Sequence, residues 1–281
     1  MPIIKLIVTG EMEKLALHDS LKKLFPAETK QGKVEWKTPH CLPGATSARL
    51  KNSPKIWPPM ERLANTLLAE VKRDKNGMQP DLVLLVDDLE LHNIDQQQLV
   101  AQHLRNAINN ALITNQHFKQ NEAQLRRLLR DRCSFHLLKP LPEAYFFGDK
   151  DVLQKISIPA HRPQLKAGQD LELFEVSDIS YLEKCKKANL DRQDKYPHWR
   201  EECHPKHYLS FLNPHYEETK QGAHALRELK WQNLSSNQFH LQSIRALFAD
   251  LANWFNVPNP LPGIPCSDFF QNKTSNLLRN M

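Results

Sequence analysis

Asp87, Asp88 and Glu90 close the apolar run Leu82-Val83-Leu84-Leu85-Val86. Carboxylates gathered at one point repel one another, and a divalent cation is the usual remedy; hard oxygen donors suit Mg2+ or Mn2+. A continuous β-branched and leucine run reads as a strand buried on both faces. Open α/β sheets place their ligands at the carboxyl ends of such strands. The plainer reading of the segment is a strand that leaves the core through polar residues.

A second acid points to the same edge. Phe135-His136-Leu137-Leu138 reads as another core strand and runs into Pro140-Leu141-Pro142-Glu143. Pro142 suits the first turn of a helix, which sets Glu143 between a strand end and a helix start. A buried carboxylate there needs backbone amides, a cation or a basic partner. Upstream, Ile3–Val8 reads as a buried strand ending at Thr9-Gly10, where glycine permits a tight turn. Leu17, Leu21 and Leu24 mark a helix over about residues 13–25. Glu11 and Glu13 fall in its first turn, where the helix dipole favours carboxylates; that accounts for both, with catalysis the lesser reading.

Other constellations carry less. His198, Cys203, His204 and His207, with Cys185, offer zinc-type ligands, but no Cys-x-x-Cys pair is present. Pro205 and Lys206 read better as a helix start bearing an exposed lysine. Cys133 and Cys266 have no nucleophile signature around them. A phosphate loop, a dinucleotide fingerprint and a Gly-x-Ser-x-Gly elbow are all missing, and the chain has only 8 glycines, so a nucleotide kinase or a serine hydrolase is disfavoured.

The elements that must position these acids follow from periodicity. Met60, Leu63, Ala64, Leu67, Leu68 and Val71 mark an amphipathic helix that stops near Asn76-Gly77. Strand, crossover helix and strand make the two strands parallel, so the first turn and the later acids face one sheet edge. Leu99 to Leu112 gives a further helix. Residues 120–132 give a basic one, whose Arg126, Arg127 and Arg130 read either as phosphate-tracking or as a solvated face. The proline-punctuated stretch 26–59, with Trp36 and Trp57 among basic residues, is long for a loop and suggests a binding surface; two anchoring tryptophans are the commoner explanation. Beyond 157 the texture becomes helical and short-segmented, with a longer helix over 238–255. The expected organisation is an α/β domain over 1–156, a helical extension packed on it over 157–257, and a proline-rich tail over 258–281, extended or disordered at its end.

Composition bounds the rest. The chain has 281 residues, 40% hydrophobic and 25% charged, with a net charge of +6. That suits a folded domain compatible with, but not requiring, a polyanion partner. The 5 scattered cysteines and the lack of a secretory leader or spanning run point to a reducing, cytoplasmic setting and no membrane.

The order of segments resembles the TOPRIM fold of topoisomerases, primases and overcoming-lysogenization-defect nucleases. It is closer still to a TOPRIM-related bacterial family of unknown function found beside ATPase partners in phage-defence loci. The stretches VTGEMEKLAL (8–17), LVLLVDDLEL (82–91), PLPEAYFFGD (140–149), HPKHYL (204–209) and YEETKQGAHAL (216–226) carry the likeness. The resemblance implies a mostly parallel TOPRIM-like sheet flanked by helices. It implies a Mg2+-dependent nuclease working on DNA or RNA, in defence, with a partner protein of the ATPase kind. The family's glutamate before the turn glycine falls on Thr9, so Glu11 or Glu13 would stand in. Its acid pair becomes Asp87-Asp88 or, on strand alternation, the same-face pair Asp88 and Glu90. The expected catalytic set is Asp88, Glu90, Glu143 and Glu11, with Asp87, Asp88 and Glu90 on the metal and Arg126, Arg127, Arg130, Lys206 and Lys220 on nucleic acid. The alternative is a degenerate TOPRIM-like subunit that binds nucleic acid or a partner without cutting, for which the loss of the glutamate at Thr9 speaks.

Overall fold

A computed structural model of the chain describes residues 1–72, 77–168, 170–193, 195–196, 198–235, 240–265 and 276–281. Cys266, Asn76 and the expected helix start at Gln238 lie outside them. The sheet contains β1 (Ile3–Val8), β2 (Glu35–Trp36), β3 (His40–Cys41), β4 (Leu82–Asp88) and β5 (Cys133–Leu138). β1 pairs in parallel with β4, and β4 in parallel with β5. The short β2 and β3 continue the parallel sheet on the other side of β1. Both faces are buried, which is why the two central strands are apolar at nearly every position. Ile4, Leu6, Val8, Leu82, Leu84 and Val86 face one core, and Ile7, Val83 and Leu85 face the other.

Helices cover each face. In chain order they are α1 (Glu11–Lys22), α2 (Pro58–Glu70), α3 (Gln97–Thr114), α4 (Gln116–Lys119), α5 (Glu122–Arg132), α6 (Glu143–Phe146), α7 (Lys150–Lys155), α8 (Ile179–Gln193), α9 (Pro205–Leu212), α10 (Ala223–Glu228) and α11 (Gln242–Phe255). Leu63 and Leu67 of α2, Leu104 and Ile108 of α3 and Leu129 of α5 fill one side. Leu17 and Leu21 of α1, Leu226 of α10 and Leu247, Phe248 and Leu251 of α11 fill the other. The stretch 157–257 therefore supplies much of one layer of the α/β core rather than an appended unit. Among the described residues no helix is long and apolar enough to cross a membrane.

The two tryptophans of the 26–59 stretch are anchored, the commoner of the two readings, whereas the end of the tail departs from expectation. Trp36 stacks on Phe255 at 6.3 Å, and Trp57 Nε1 donates to the Ala45 carbonyl at 3.0 Å. The end of the tail, expected extended or disordered, is built into the fold. Leu278 and Met281 are buried against the α2–α3 side. The Asn280 carboxamide donates to the Phe135 carbonyl at 2.7 Å and accepts from the Phe135 N–H at 3.1 Å. One side chain thus satisfies both backbone groups of a residue on the sheet's edge strand, where unpaired groups invite pairing with another chain. Arg279 holds Asp250 of α11 at 3.0 Å alongside it.

Asn280→Ala leaves a buried N–H and a buried C=O without partners, and such groups are expensive. We expect a loss of about 2 kcal/mol of stability, read as a lowered urea midpoint with an unchanged slope.

Candidate functional site

The carboxyl ends of β1 and β4 and the start of α6 open on one cavity of ≈ 260 Å³. Glu13, Asp87, Asp88, Glu90, Glu143 and Glu218 line it, together with Thr9, Thr46, His204, Lys206 and His207. The acids expected from the strand ends are therefore brought together.

Glu13 occupies the place expected of Glu11. Glu11 sits on the exposed side of α1, bonded to Lys14 at 3.0 Å, and does not line the cavity. Glu13 is 2% exposed. The helical period puts Glu13 on the same stripe as Leu17 and Leu21, so α1 turns it inward with its core face. The same carboxyl explains Gly10. That residue has φ −114° and ψ 146°, extended backbone open to any side chain, so no turn demands glycine. A β-carbon there would instead lie 1.9 Å from Glu13 Oε2. Gly222 plays a similar part behind the cavity, where a β-carbon would lie 2.6 Å from the Tyr216 hydroxyl.

β4 delivers its acids to different sides. Asp88 continues the Leu82-Leu84-Val86 face, toward α1. Asp87 continues the Val83-Leu85 face, where Thr9 Oγ1 donates to its Oδ1 at 2.5 Å and the Asp88 N–H at 3.0 Å. Thr9 thus orients an acid instead of being one. Glu90 reaches the cavity by a different route from the expected strand alternation, because β4 ends at Asp88. Glu90 sits beyond it at φ 58° and ψ 155°, a region close to glycine-only. Its N–H donates to the Pro140 carbonyl at 3.0 Å. This turn holds a strained residue and points an acid into the cavity.

Burial dominates the electrostatics. It pushes Glu13 up to about 7, Asp87 to about 6, Glu90 to about 7 and Glu143 to about 8. Burial and then the charge of Glu13 push Asp88 well above the carboxylate range. Both Glu13 oxygens and Asp87 Oδ2 are buried without a donor among the described residues. Lys206, from the first turn of α9, is the cation of the cavity wall, paired with Glu218. Burial opposes its charge, yet Glu218, Glu143 and Glu90 together raise its pKa.

Donor chemistry and the orphaned oxygens fit a hard divalent cation held by Glu13, Asp88 and Glu90, with Asp87 beside them. As the side chains stand, no group of three or more His, Cys, Asp or Glu among the described residues is already arranged to hold a metal ion.

The expected nucleic-acid contacts divide. Lys206 is at the cavity, whereas Lys220 is exposed and paired with Glu217 at 2.8 Å. Arg126 bonds Glu122 and Asn109, and Arg127 and Arg130 lie near Asp131. Their helix ends at Arg132, which bonds the Pro80 carbonyl just before β4 begins. That is the opposite end of the strand from the acids, about 20 Å away at ~3.3 Å per residue. Sequence reasoning missed Glu218, His204 and His207 as cavity residues. Nothing local marks Glu218, which arrives on an irregular turn, Glu218–Gly222. The histidines were noticed only as zinc-type ligands.

No protein-family model, curated protein or solved structure matches this chain.

A carboxyl whose pKa is raised by folding keeps its proton where the unfolded chain has lost it, so stability falls as pH climbs from the ordinary value to the raised one. His204, lowered to about 3 by burial and then by His207, works the other way below its ordinary 6.5. The clean window is therefore pH 6.5 to 8. We expect the metal-free protein to lose stability across it, and Glu143→Gln to flatten that slope and add on the order of 2 kcal/mol at pH 8. Thermal melts at several pH values measure both.

Proposed function

We propose that this chain is a Mg2+- or Mn2+-dependent nuclease of TOPRIM-like type, hydrolysing phosphodiesters of DNA or RNA at the β1–β4 edge. The observation that carries the reading is the gathering of Glu13, Asp87, Asp88, Glu90 and Glu143 around one cavity, with both Glu13 oxygens and one Asp87 oxygen buried and unpartnered among the described residues. An apolar core does not retain such groups for stability, since burying acids without partners is unfavourable. A bound divalent cation would supply charge neutralisation at the phosphate and a more acidic water.

The chain's own residues do the rest. Asp88, Glu90 and Glu13 are the cation's carboxylates. Glu13 stands in for the glutamate that Thr9 replaces, reaching the site from one helical turn later. Asp87, oriented by Thr9, fixes the far wall. Glu143, raised to about 8, holds a proton near neutrality and can release it when positive charge arrives. Lys206 offers a cation to a phosphate oxygen. The parallel sheet flanked by helices and the order of these acids along it support the TOPRIM-like reading.

A second reading, a degenerate subunit that binds nucleic acid or a partner without cutting, draws on Thr9 and on side chains not yet arranged as ligands. Cleavage of plasmid DNA and structured RNA with Mg2+ or Mn2+ separates the two. We expect wild type and Glu11→Gln to cut. Asp88→Asn and Glu13→Gln should each lose at least about a hundredfold, the scale seen when a group stabilising the transition state is removed. An inert wild-type chain that also gives no heat on titration with Mn2+ would favour the degenerate reading.

A further inference from the structure

Beside the acids, the cavity wall carries a pair of groups that cation binding does not use. His207 lies in the first turns of α9, and its Nδ1 is 2.5 Å from Glu201 Oε1. Glu201 is 8% exposed, and its other oxygen accepts from Trp199 Nε1 at 2.9 Å and from Arg192 at 3.4 Å. Burial works against its charge, but the bonds from His207 and Trp199 overcome it and hold the carboxyl at about 2. Glu201 is thus a fixed anion, and it places the Nδ1 proton. The Nε2 of His207 has no partner among the described residues, and the ring lines the cavity. His204 completes the arrangement. Its ring stacks on His207 at 3.6 Å and 5°, and its Nδ1 accepts from the His207 N–H at 3.4 Å. The imidazole is therefore held on its face by His204, at one nitrogen by Glu201 and through its backbone by the helix cap.

An imidazole with one nitrogen fixed on a carboxylate and the other free in a reaction cavity is the arrangement of an acid–base catalyst. Clamping from several sides is more than a surface ion pair needs, since a lone exposed pair contributes little to stability. Charged groups around the stacked His204–His207 pair are Glu201, Lys206 and Arg192, and Glu90 and Glu218 line the same cavity.

We propose that His207, oriented by Glu201, is the general acid that protonates the leaving oxygen when the phosphodiester is cut. This rests on the nuclease reading above. Water adds its oxygen to phosphorus and gives up one proton to a cavity carboxylate. The bond from phosphorus to the leaving oxygen breaks, and that oxygen takes the proton from His207 Nε2. The products are a phosphomonoester and an alcohol, and proton exchange with solvent returns both groups to their starting states. Glu201 is a positioning residue that keeps the proton on Nδ1 so that Nε2 is the one that exchanges.

The test compares leaving groups. Bis(4-nitrophenyl) phosphate releases a phenolate that needs no proton, whereas plasmid DNA releases an alkoxide that does. With Mn2+, we expect His207→Gln to slow plasmid cleavage about a hundredfold or more while leaving nitrophenyl ester cleavage close to wild type. Imidazole should restore part of the loss in His207→Ala. Independently of activity, the histidine-ring NMR spectrum of the metal-free protein should show His207 protonated at Nδ1 at high pH, and Glu201→Gln should abolish that preference. Equal loss on both substrates, or plasmid cleavage unchanged in His207→Gln, overturns the proposal while Asp88→Asn still reports the nuclease. A wild type inert on both substrates takes the nuclease reading and this inference down together.

Discussion

Burial of carboxyl groups at the carboxyl edge of a parallel sheet is the constraint around which this protein is arranged. Glu13, Asp87 and Glu143 are each at most 2% exposed, in a cavity whose wall offers Lys206 as cation. Elsewhere the molecule satisfies buried acids conventionally. Glu172 accepts the Ser243 and Ile244 N–H groups at the start of α11, and Asp250 is held by Arg279. The contrast matters, because a chain able to partner its acids leaves both Glu13 oxygens and one Asp87 oxygen without a donor among the described residues. Backbone placement around the cavity follows the same demand. Gly10 is glycine because Glu13 needs the space, and Glu90 accepts an unfavourable backbone conformation to aim its carboxyl inward.

Both cores serve that edge. The parallel β1–β4 pairing puts Thr9 and Asp87 in register at the strand ends, which no antiparallel arrangement of these runs would do. Packing of α1 by Leu17 and Leu21 fixes Glu13 as a by-product of core formation. Packing of α10 and α11 on the same side brings the Glu218–Gly222 turn and α9 over the cavity, and with them Lys206 and His207. The helical half of the chain thus roofs the acids.

Much of this was legible in the sequence. The strands announced themselves as apolar runs because both faces of a parallel sheet are buried, and the acids after them marked the edge. Glu13 was legible too: spacing of four from Leu17 and eight from Leu21 puts it on the core stripe, whereas Glu11 falls off it. What hid it was the dipole argument, which accounts equally for either acid at a helix start. Asp88 and Glu90 were brought together by the wrong device, since strand alternation fails once the strand has ended. The reach of Asn280 to Phe135, and of Glu201 to His207 through an intervening helix cap, depends on three-dimensional closure that local pattern does not encode. The position of the basic helix α5 was hidden for a related reason. Its charge was evident, but only topology reveals that it ends beside the start of β4.

The electrostatics of the cavity join these pieces into one argument. A phosphodiester is an anion and cannot approach a cluster of charged carboxylates. With Glu13, Glu90 and Glu143 raised to about 7, 7 and 8 by burial, much of that charge is cancelled by protons near neutrality. A divalent cation entering the cavity would displace those protons, so its affinity rises with pH over the same interval in which the metal-free protein is destabilised. One set of buried acids then sets the pH dependence both of the metal-free fold and of any cation's binding. Lys206 adds one fixed positive charge to that balance in either state. The net charge of +6 for the whole chain is compatible with a polyanion partner without requiring one.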